Sequence, residues 1–491
     1  MNRSQLVLVM PLIILLYLWS CNKGFNGEFT ANLPPETYTV VDTIIRFGDD
    51  RLESEVEIIW WGNDPDGFVV GYEFTFDDPL KPNTEWTFTE RQDSIFILAP
   101  PAGSDTLDFT FSVRAIDNLA SKDLSPASLT YPIKNSPPTV AFVPGINNPV
   151  KSFPVVKYFW EGDDPDGEIN IASYELVWND TTASSVLLPA TSSNVLLEAT
   201  DATDATMSSK VFINSSVVPE PFELEGMLGN EWNQLFIRAI DQSNAKSAWS
   251  STDSIFIKNV SSNILLVDAY TTASSPIDFY AEQLSGIGFS QVDTIEIFDD
   301  IDGALTQQSA DNLTQEKVFA LFDLIVWFSN SAESSLSLAQ RTTESFFSND
   351  GKLLMSVYIS SSFDPLSNFL DFTPIASLVS PIDTSLILDL GASLLSSDSD
   401  YPDLQGTSIV GVVKPVNLQI GALPLYDAEL TAKDNIAVTF SPWEGNSTVI
   451  SKKLNDGEPV FIFSTLELHK LNGLSNMDAF FEEAIINEFG F

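Results

Sequence analysis

One short acidic stretch is written twice in this chain, and its surroundings are written twice with it. "WGNDPDG" beginning at Trp61 returns as "WEGDDPDG" beginning at Trp160, which sets Gly62 over Gly162, Asp64 over Asp164 and Asp66 over Asp166. Further on, "GYEF" at Gly71 is echoed by "SYEL" at Ser173, and "FSVRAIDN" ending at Asn118 by "LFIRAIDQ" ending at Gln242. The exits match too, "PIKN" at Pro132 against "FIKN" at Phe256. Between these landmarks lie "TYTVVDTIIRF", "EVEIIWW", "FVVGYEFTF", "TEWTFT", "SIFIL" and "LDFTFSVRAID". Such runs, rich in β-branched and aromatic residues and bounded by Pro, Gly, Asn and Asp, read as short half-buried strands. Two copies of roughly one hundred residues with about seven strands each predict two β-sandwiches, over 38–135 and 138–259. The second copy holds about two dozen extra residues, 184–209, expected as a longer mid-domain excursion.

The same residues resemble the fibronectin type III family, which places a core Trp on its second strand, then a Pro/Asp/Gly turn and a Tyr on the third. Those places fall here on Trp60 or Trp61 and Trp160, and on Tyr72 and Tyr174. The family's later alternating strand would be 111–117 and 235–241. The resemblance covers about residues 38–259 and implies an immunoglobulin-like sandwich for each copy.

The acidic stretch has a sufficient explanation as a turn. Pro holds φ at about −65°, Gly tolerates positive φ, and Asp side chains accept from nearby backbone amides. A calcium loop of the EF-hand kind does not fit: its first ligand would fall on Gly62 or Gly162, and its closing Glu is missing. A looser metal site would draw on Asp64, Asp66 and nearby Asp117 in one copy, and on Asp164 and Asp166 in the other. The expectation is a turn without metal.

At the N-terminus Arg3 is followed by an apolar run from Leu6 to Leu18, too short for a comfortable membrane span and shaped like a secretory leader. The run ends in "LWSC", where Cys21 is the only cysteine in the chain. This stretch resembles the lipobox of bacterial lipoproteins. The resemblance implies a leader over 1–20, lipid on Cys21, a tether over 21–37 and a place in the cell envelope. The outer membrane and its periplasmic face are the expected address. No disulfide can form within the mature chain, so its domains must stand on their cores. With 44% hydrophobic and 11% aromatic residues those cores can be large. A formal charge of −45, from 68 acidic and 23 basic residues, repels nucleic acid and anionic headgroups. The expected contacts are therefore the membrane through the lipid, and an envelope protein or glycan.

From Asn263 the texture changes to strands alternating with helices. "NILLVDAY", "VDTIEIF", "FDLIVWFSN" and "GKLLMSVYI" read as strands; "SPIDFYAEQLSGIGF", "TQEKVFAL" and "SSLSLAQRTTESFFSND" read as helices. Ser275 stands as the N-cap of the first helix, with Asp278 three residues on. Strands alternating with helices predict a parallel sheet covered on both faces. The segment 262–491 is thus expected to be an α/β three-layer, flavodoxin-like domain with an insertion at about 360–457. It closes with "EPVFIFSTLELHKLNG" and a helix, "NMDAFFEEAIINEF". The acidic knots "DDIDG" at Asp299 and "DSDYPD" at Asp398 read as solvated loops.

This segment resembles the class I glutamine amidotransferase-like superfamily in its early "LLVD" strand, its "FDLIVWFSN" strand, and a late strand ending near a His. The family's nucleophilic Cys would lie after "KLLM", where this chain has Ser356, Val357 and Tyr358. His469 and Glu467 stand near the family's His position, but without a nucleophile they make no triad. The hydroxyl-rich loop "YTTASSP" beginning at Tyr270 lacks the glycine of a phosphate loop, so no flavin or other cofactor is expected. A ligand in an open α/β sheet would sit beyond the strand C-termini, near Asp268, Tyr270, Thr271, Ser329 and Asn330. The expected function is a non-enzymatic envelope lipoprotein with a binding or scaffold role. The alternative is a hydrolase or sugar-processing enzyme using His469, Glu467 and Ser356.

Overall fold

The computed structural model describes residues 31–491, apart from 42–54, 99, 102–103, 105, 144–149, 167, 273, 299–310 and 365–370. The leader, Cys21, most of the tether and the loop at Asp299 lie outside the described residues. The chain divides into two units, 1–136 with 165–167, and 137–164 with 168–491.

In the first unit, strands Glu36–Val41, Glu55–Asn63 and Asp93–Ile97 form one antiparallel sheet. Strands Thr87–Thr89, Val69–Thr75, Thr106–Asp117 and Ala127–Lys134 form the other. Side chains alternate across a strand, so Val56, Ile58 and Trp60 turn inward to meet Tyr72, Phe111, Val113 and Tyr131. The choice between the two tryptophans is thereby settled. Trp60 is fully buried, while Trp61 lies 44% exposed and stacks on Tyr38 across the strand pair. The described residues thus form a β-sandwich of seven strands.

The second unit holds the other sandwich together with the C-terminal segment. The sandwich has a five-stranded sheet in the order Glu223–Leu228, Thr206–Ile213, Asn194–Ala199, Val155–Asp163, Thr139–Phe142. A four-stranded sheet faces it: Val186–Pro189, Ile171–Trp178, Leu235–Asp241, Ser250–Ser251. Trp160, Tyr174, Leu176 and Trp178 fill the space between with Val195, Leu197 and Val211. The extra residues 184–209, expected as a longer mid-domain excursion, lie in the sheets of the sandwich. They supply Val186–Pro189, Asn194–Ala199 and the start of Thr206–Ile213, and Asn194–Ala199 is the middle strand of its sheet.

The C-terminal segment is built on a nine-stranded sheet. Its first five strands, in spatial order Asp293–Glu296, Ile264–Asp268, Leu324–Ser329, Lys352–Val357, Glu458–Ser464, pair in parallel. Ile264, Leu266, Val326 and Phe328 pack toward helix Ile277–Gly286 and helix Met477–Phe481. Leu265, Val267, Ile325 and Trp327 pack on the other face with helices Asn312–Phe319, Ala332–Thr342 and Glu344–Ser348. Strands Ile264–Asp268 and Leu324–Ser329 are buried along their whole length, which is why they read as unbroken apolar runs. Residues 360–457 do more than interrupt this sheet. Thr448–Asn455, Leu423–Ala428, Ser393–Ser396 and Leu404–Gln405 extend it with antiparallel strands. Helices are short and few, and the described chain is mostly β-sheet.

Asp398 departs from the expected solvated loop. It pairs with the nearly buried Lys452 (3.1 Å), which also binds Glu488, and Tyr401 beside it is buried with its hydroxyl on Glu488 (2.8 Å). A buried lysine needs carboxylates within reach, and Asp398 supplies one while Ser399, Asp400 and Asp403 of the same loop stay exposed.

The second sandwich and the C-terminal sheet share a core. Phe153, Val155, Leu196 and Phe212 point away from the sandwich interior and join Leu265, Val267, Phe319 and Phe322 in one cluster. Ionic contacts ring it: Lys157 binds Asp311 and the Ser215 hydroxyl (2.9 Å), and Lys317 binds Glu198 (2.9 Å) over the Phe212 ring. Lys258 binds the fully buried Asp293, which also accepts from the Ser261 and Ser262 amides (2.7 and 2.9 Å). Asp311 at the same time caps helix Asn312–Phe319 through the Thr314 amide (3.0 Å).

Candidate functional site

The repeated turns hold down the chain that leads into their own module. Asp64 accepts from the Asp66 amide (3.3 Å), and Asp66 accepts from the Leu33 amide (3.2 Å). In the second copy Asp166 accepts from the Ser136 amide (3.1 Å). Leu33 and Ser136 each stand three residues ahead of the first strand, Glu36–Val41 or Thr139–Phe142. The sequence held a signal for this contact that the strand pattern did not use, an Asn-x-Pro-Pro beginning at Asn32 and again at Asn135. Asn32 reaches Asp117, whose other oxygen accepts from the Leu119 and Ser121 amides (2.8 and 2.7 Å). Burial raises the Asp117 pKa, but these hydrogen bonds outweigh it and hold the carboxyl below the usual range. The glycine ahead of each turn also has its reason. Tyr72 accepts from the Gly62 amide (3.1 Å), and a Cβ at Gly162 would collide with the Tyr174 hydroxyl. Among the described residues no three His, Cys, Asp or Glu side chains are placed to hold a metal.

A second repeated cluster lies on the outer face of each four-stranded sheet. Glu73 binds Arg114 (2.7 Å) and Lys122 (2.8 Å), with the Arg114 guanidinium over Trp86. Glu175 likewise binds Arg238 (2.6 Å) and Lys246 (3.3 Å), with Arg238 over Trp249.

At the C-terminal ends of the parallel strands, the expected crevice residues come together. Asp268 ends its strand, accepts from the Tyr270 amide (3.0 Å) and takes the Ser275 hydroxyl. That engagement shifts the helix start by one residue. Pro276 holds the cap position of Ile277–Gly286, while the Ser275 oxygen accepts from the Ile277 amide (3.2 Å). Asn330 accepts from the Thr271 amide and hydroxyl (3.0 and 3.1 Å), and Ser329 donates to the Ala269 carbonyl (2.8 Å). These bonds stitch the loops after strands Ile264–Asp268 and Leu324–Ser329 to each other.

Glu467 arrives from the loop after Glu458–Ser464 and takes the Tyr270 hydroxyl on one oxygen and Lys470 on the other. Burial, then the hydrogen bond and charge of Glu467, push the Tyr270 phenol far above its ordinary value. His469 lies in the short 3₁₀ turn Leu468–Lys470, edge-on to Tyr270 and Phe279. Its Nδ1 is buried with no hydrogen-bond partner among the described residues. Burial lowers its pKa, Glu467 opposes that and Lys470 adds to it, so the imidazole is held toward its neutral form.

Ser356 sits deeper. It is 1% exposed, donates to the Leu466 carbonyl (3.1 Å), accepts from the Leu468 amide (3.0 Å) and touches the Tyr280 hydroxyl (3.2 Å). The structure thus brings Glu467, His469 and Tyr270 into one polar cluster, and ties Ser356 to the main chain beneath it. A cavity of about 460 Å³ lies at the other end of the sheet, among residues the sequence did not single out.

No model of a known protein family matches the chain, and no curated protein matches it. Among solved structures, the fibronectin(III)-like modules of Clostridium thermocellum CbhA are 15% identical over 45% of this chain and 94% of theirs, with a TM-score of 0.17. A segment of two fibronectin type III domains from chicken tenascin is 12% identical over 42% and 95%, with a TM-score of 0.22. The PKD1 domain of Vibrio anguillarum Epp is 14% identical over 21% and 98%, with a TM-score of 0.15.

Proposed function

We propose that this chain is a non-enzymatic cell-envelope lipoprotein, anchored through Cys21, whose C-terminal segment is a flavodoxin-like, degenerate amidotransferase-like domain with a binding or scaffold role. The observation that carries the reading is the state of Ser356. A serine nucleophile needs its hydroxyl exposed to substrate, with a base on it and donors aimed at an oxyanion. Here the hydroxyl is buried, its proton is directed to the Leu466 carbonyl, and its lone pair takes the Leu468 amide. The parallel strand order, with its second strand outside the first, supports the flavodoxin-like reading. The cluster of Asp268, Tyr270, Thr271, Ser329, Asn330, Glu467 and His469 is where a partner protein or glycan would dock. No helix among the described residues is long and apolar enough to cross a membrane. The proposed attachment through lipid on Cys21 rests on the "LWSC" stretch of the sequence.

The expected outcome is no glutamine hydrolysis and no labelling by a serine-directed fluorophosphonate, and release of Cys21→Ala into the soluble fraction. Stoichiometric labelling of Ser356, abolished in His469→Ala, would make the chain an enzyme. A Cys21→Ala variant that stays membrane-bound with its leader uncleaved would remove the lipoprotein half.

A further inference from the structure

The cavity of about 460 Å³ falls between helix Glu344–Ser348 and the hairpin of strands Thr448–Asn455 and Glu458–Ser464. Its volume is in the range of small-molecule sites, roughly 300–1,000 Å³. Phe347, Phe372 and Val460 form its apolar wall, and Lys453, Glu344 and Asn455 contribute polar groups. Both phenylalanines are braced from behind by the fully buried Phe461. Phe372 stacks on it at 5.6 Å, and Phe347 tilts against it at 5.8 Å. The wall is therefore set by the core before any ligand arrives.

Lys453 is the unusual member. It stands opposite Phe461 in the antiparallel register, so both side chains leave the same face of the sheet. Its ammonium donates to the Phe372 carbonyl (2.9 Å) and, among the described residues, forms no ion pair. Its neighbour Lys452 points to the opposite face and is held by two carboxylates. Lys352 and Lys414 are also half-buried without a carboxylate among the described residues, but of the three only Lys453 lines the cavity. An ammonium has three donors, and among the described residues only one hydrogen bond engages them. Burial lowers the Lys453 pKa with nothing opposing it, the cost that an incoming negative charge would relieve.

We propose that this cavity binds a small organic monoanion with a flat apolar body, an aromatic carboxylate, with its ring against Phe347 and Phe372 and its carboxylate on Lys453. Glu344 stays exposed at the rim and disfavours a second negative charge. The site lies at the opposite end of the strands from Glu467 and His469, and stands independently of what docks there.

The test is calorimetric titration of the full chain with naphthalene-2-carboxylate and with its neutral amide. The carboxylate is expected to bind one to one, at least tenfold tighter than the amide. Lys453→Met should bring the carboxylate down to the level of the amide, whereas His469→Ala should leave its affinity unchanged. Val460→Trp fills the cavity and should abolish binding of both; it serves in place of Lys453→Met should that variant fail to fold. Absence of binding at millimolar probe overturns the proposal. So does equal affinity for acid and amide, or undiminished binding in a folded Lys453→Met or Val460→Trp.

Discussion

Glu175 shows how a single side chain can hold two strands and two bases at once. Burial pushes its pKa up, yet hydrogen bonds from Arg238, Ser185 and Lys246, with the Arg238 charge, carry it down to about 2 from an ordinary 4.5. The folded state therefore prefers the carboxylate more strongly than the unfolded chain does. The resulting stability is present above about pH 4.5 and is lost as pH falls toward about 2. Glu175→Gln should cost about 1–2 kcal/mol near neutral pH, a range that allows for solvent screening of the pair. It should also flatten the loss of stability over that acid window, as read by urea melts at stepped pH. Unchanged acid sensitivity would show the network to be inert. Glu73, Arg114, Glu175 and Arg238 all lie inside the repeated strings of the sequence, but there they served only to mark strands. Their pairing runs across a sheet, and Trp86 and Trp249 reach it from non-equivalent places, so no one-dimensional pattern could display it. His469 and Glu467 were legible as neighbours of a strand end. The capture of Ser356 by Leu466 and Leu468 was not, because it depends on how a loop folds back over another strand.

Among the elements, strand Asn194–Ala199 departs furthest from what its sequence announces. Its residues fall in a stretch dense in Ser, Thr, Ala and Asp, where a loop is the natural expectation, and the "VLL" within it is too short to carry a period. The strand is fixed instead by burial on both faces. Val195 and Leu197 enter the sandwich interior, and Leu196 enters the cluster shared with Phe319 and Phe322. Leu196→Ala should accordingly cost about 2–5 kcal/mol, like an interior leucine, although it faces outward from its own sandwich. Thermal or denaturant melts will show this, and a loss under about 0.5 kcal/mol, the usual surface value, would place Leu196 on open surface. The parallel strands were readable because both of their faces are buried. Beyond the hairpin of Thr448–Asn455 and Glu458–Ser464, the antiparallel extension was not, since Ser393–Ser396 and Leu404–Gln405 are short and Leu423–Ala428 pairs with strands distant in sequence. The helix expected from "SSLSLAQRTTESFFSND" is likewise two pieces, Ala332–Thr342 and Glu344–Ser348, with Thr343 between them.

At the scale of the whole molecule, the second sandwich and the C-terminal sheet share one core and are expected to unfold together. Lys157, Lys258 and Lys317, three of only 23 basic residues, sit at the boundary between them. A fragment of residues 262–491 alone would uncover the apolar face that Phe153, Leu196 and Phe212 cover, and should aggregate or melt well below the fragment 137–491. Equal melting temperatures for the two fragments would sink this. The shared core also bears on how such a chain can be inherited. Repeated sandwich modules are commonly exchangeable cassettes, and the twice-written acidic turn suggests an origin by duplication. The second copy has given up that freedom, because its outward face is now committed to one neighbour. A recombination joint near residue 260 would separate surfaces that no foreign module is shaped to cover, so shuffling should respect 137–491 as one cargo.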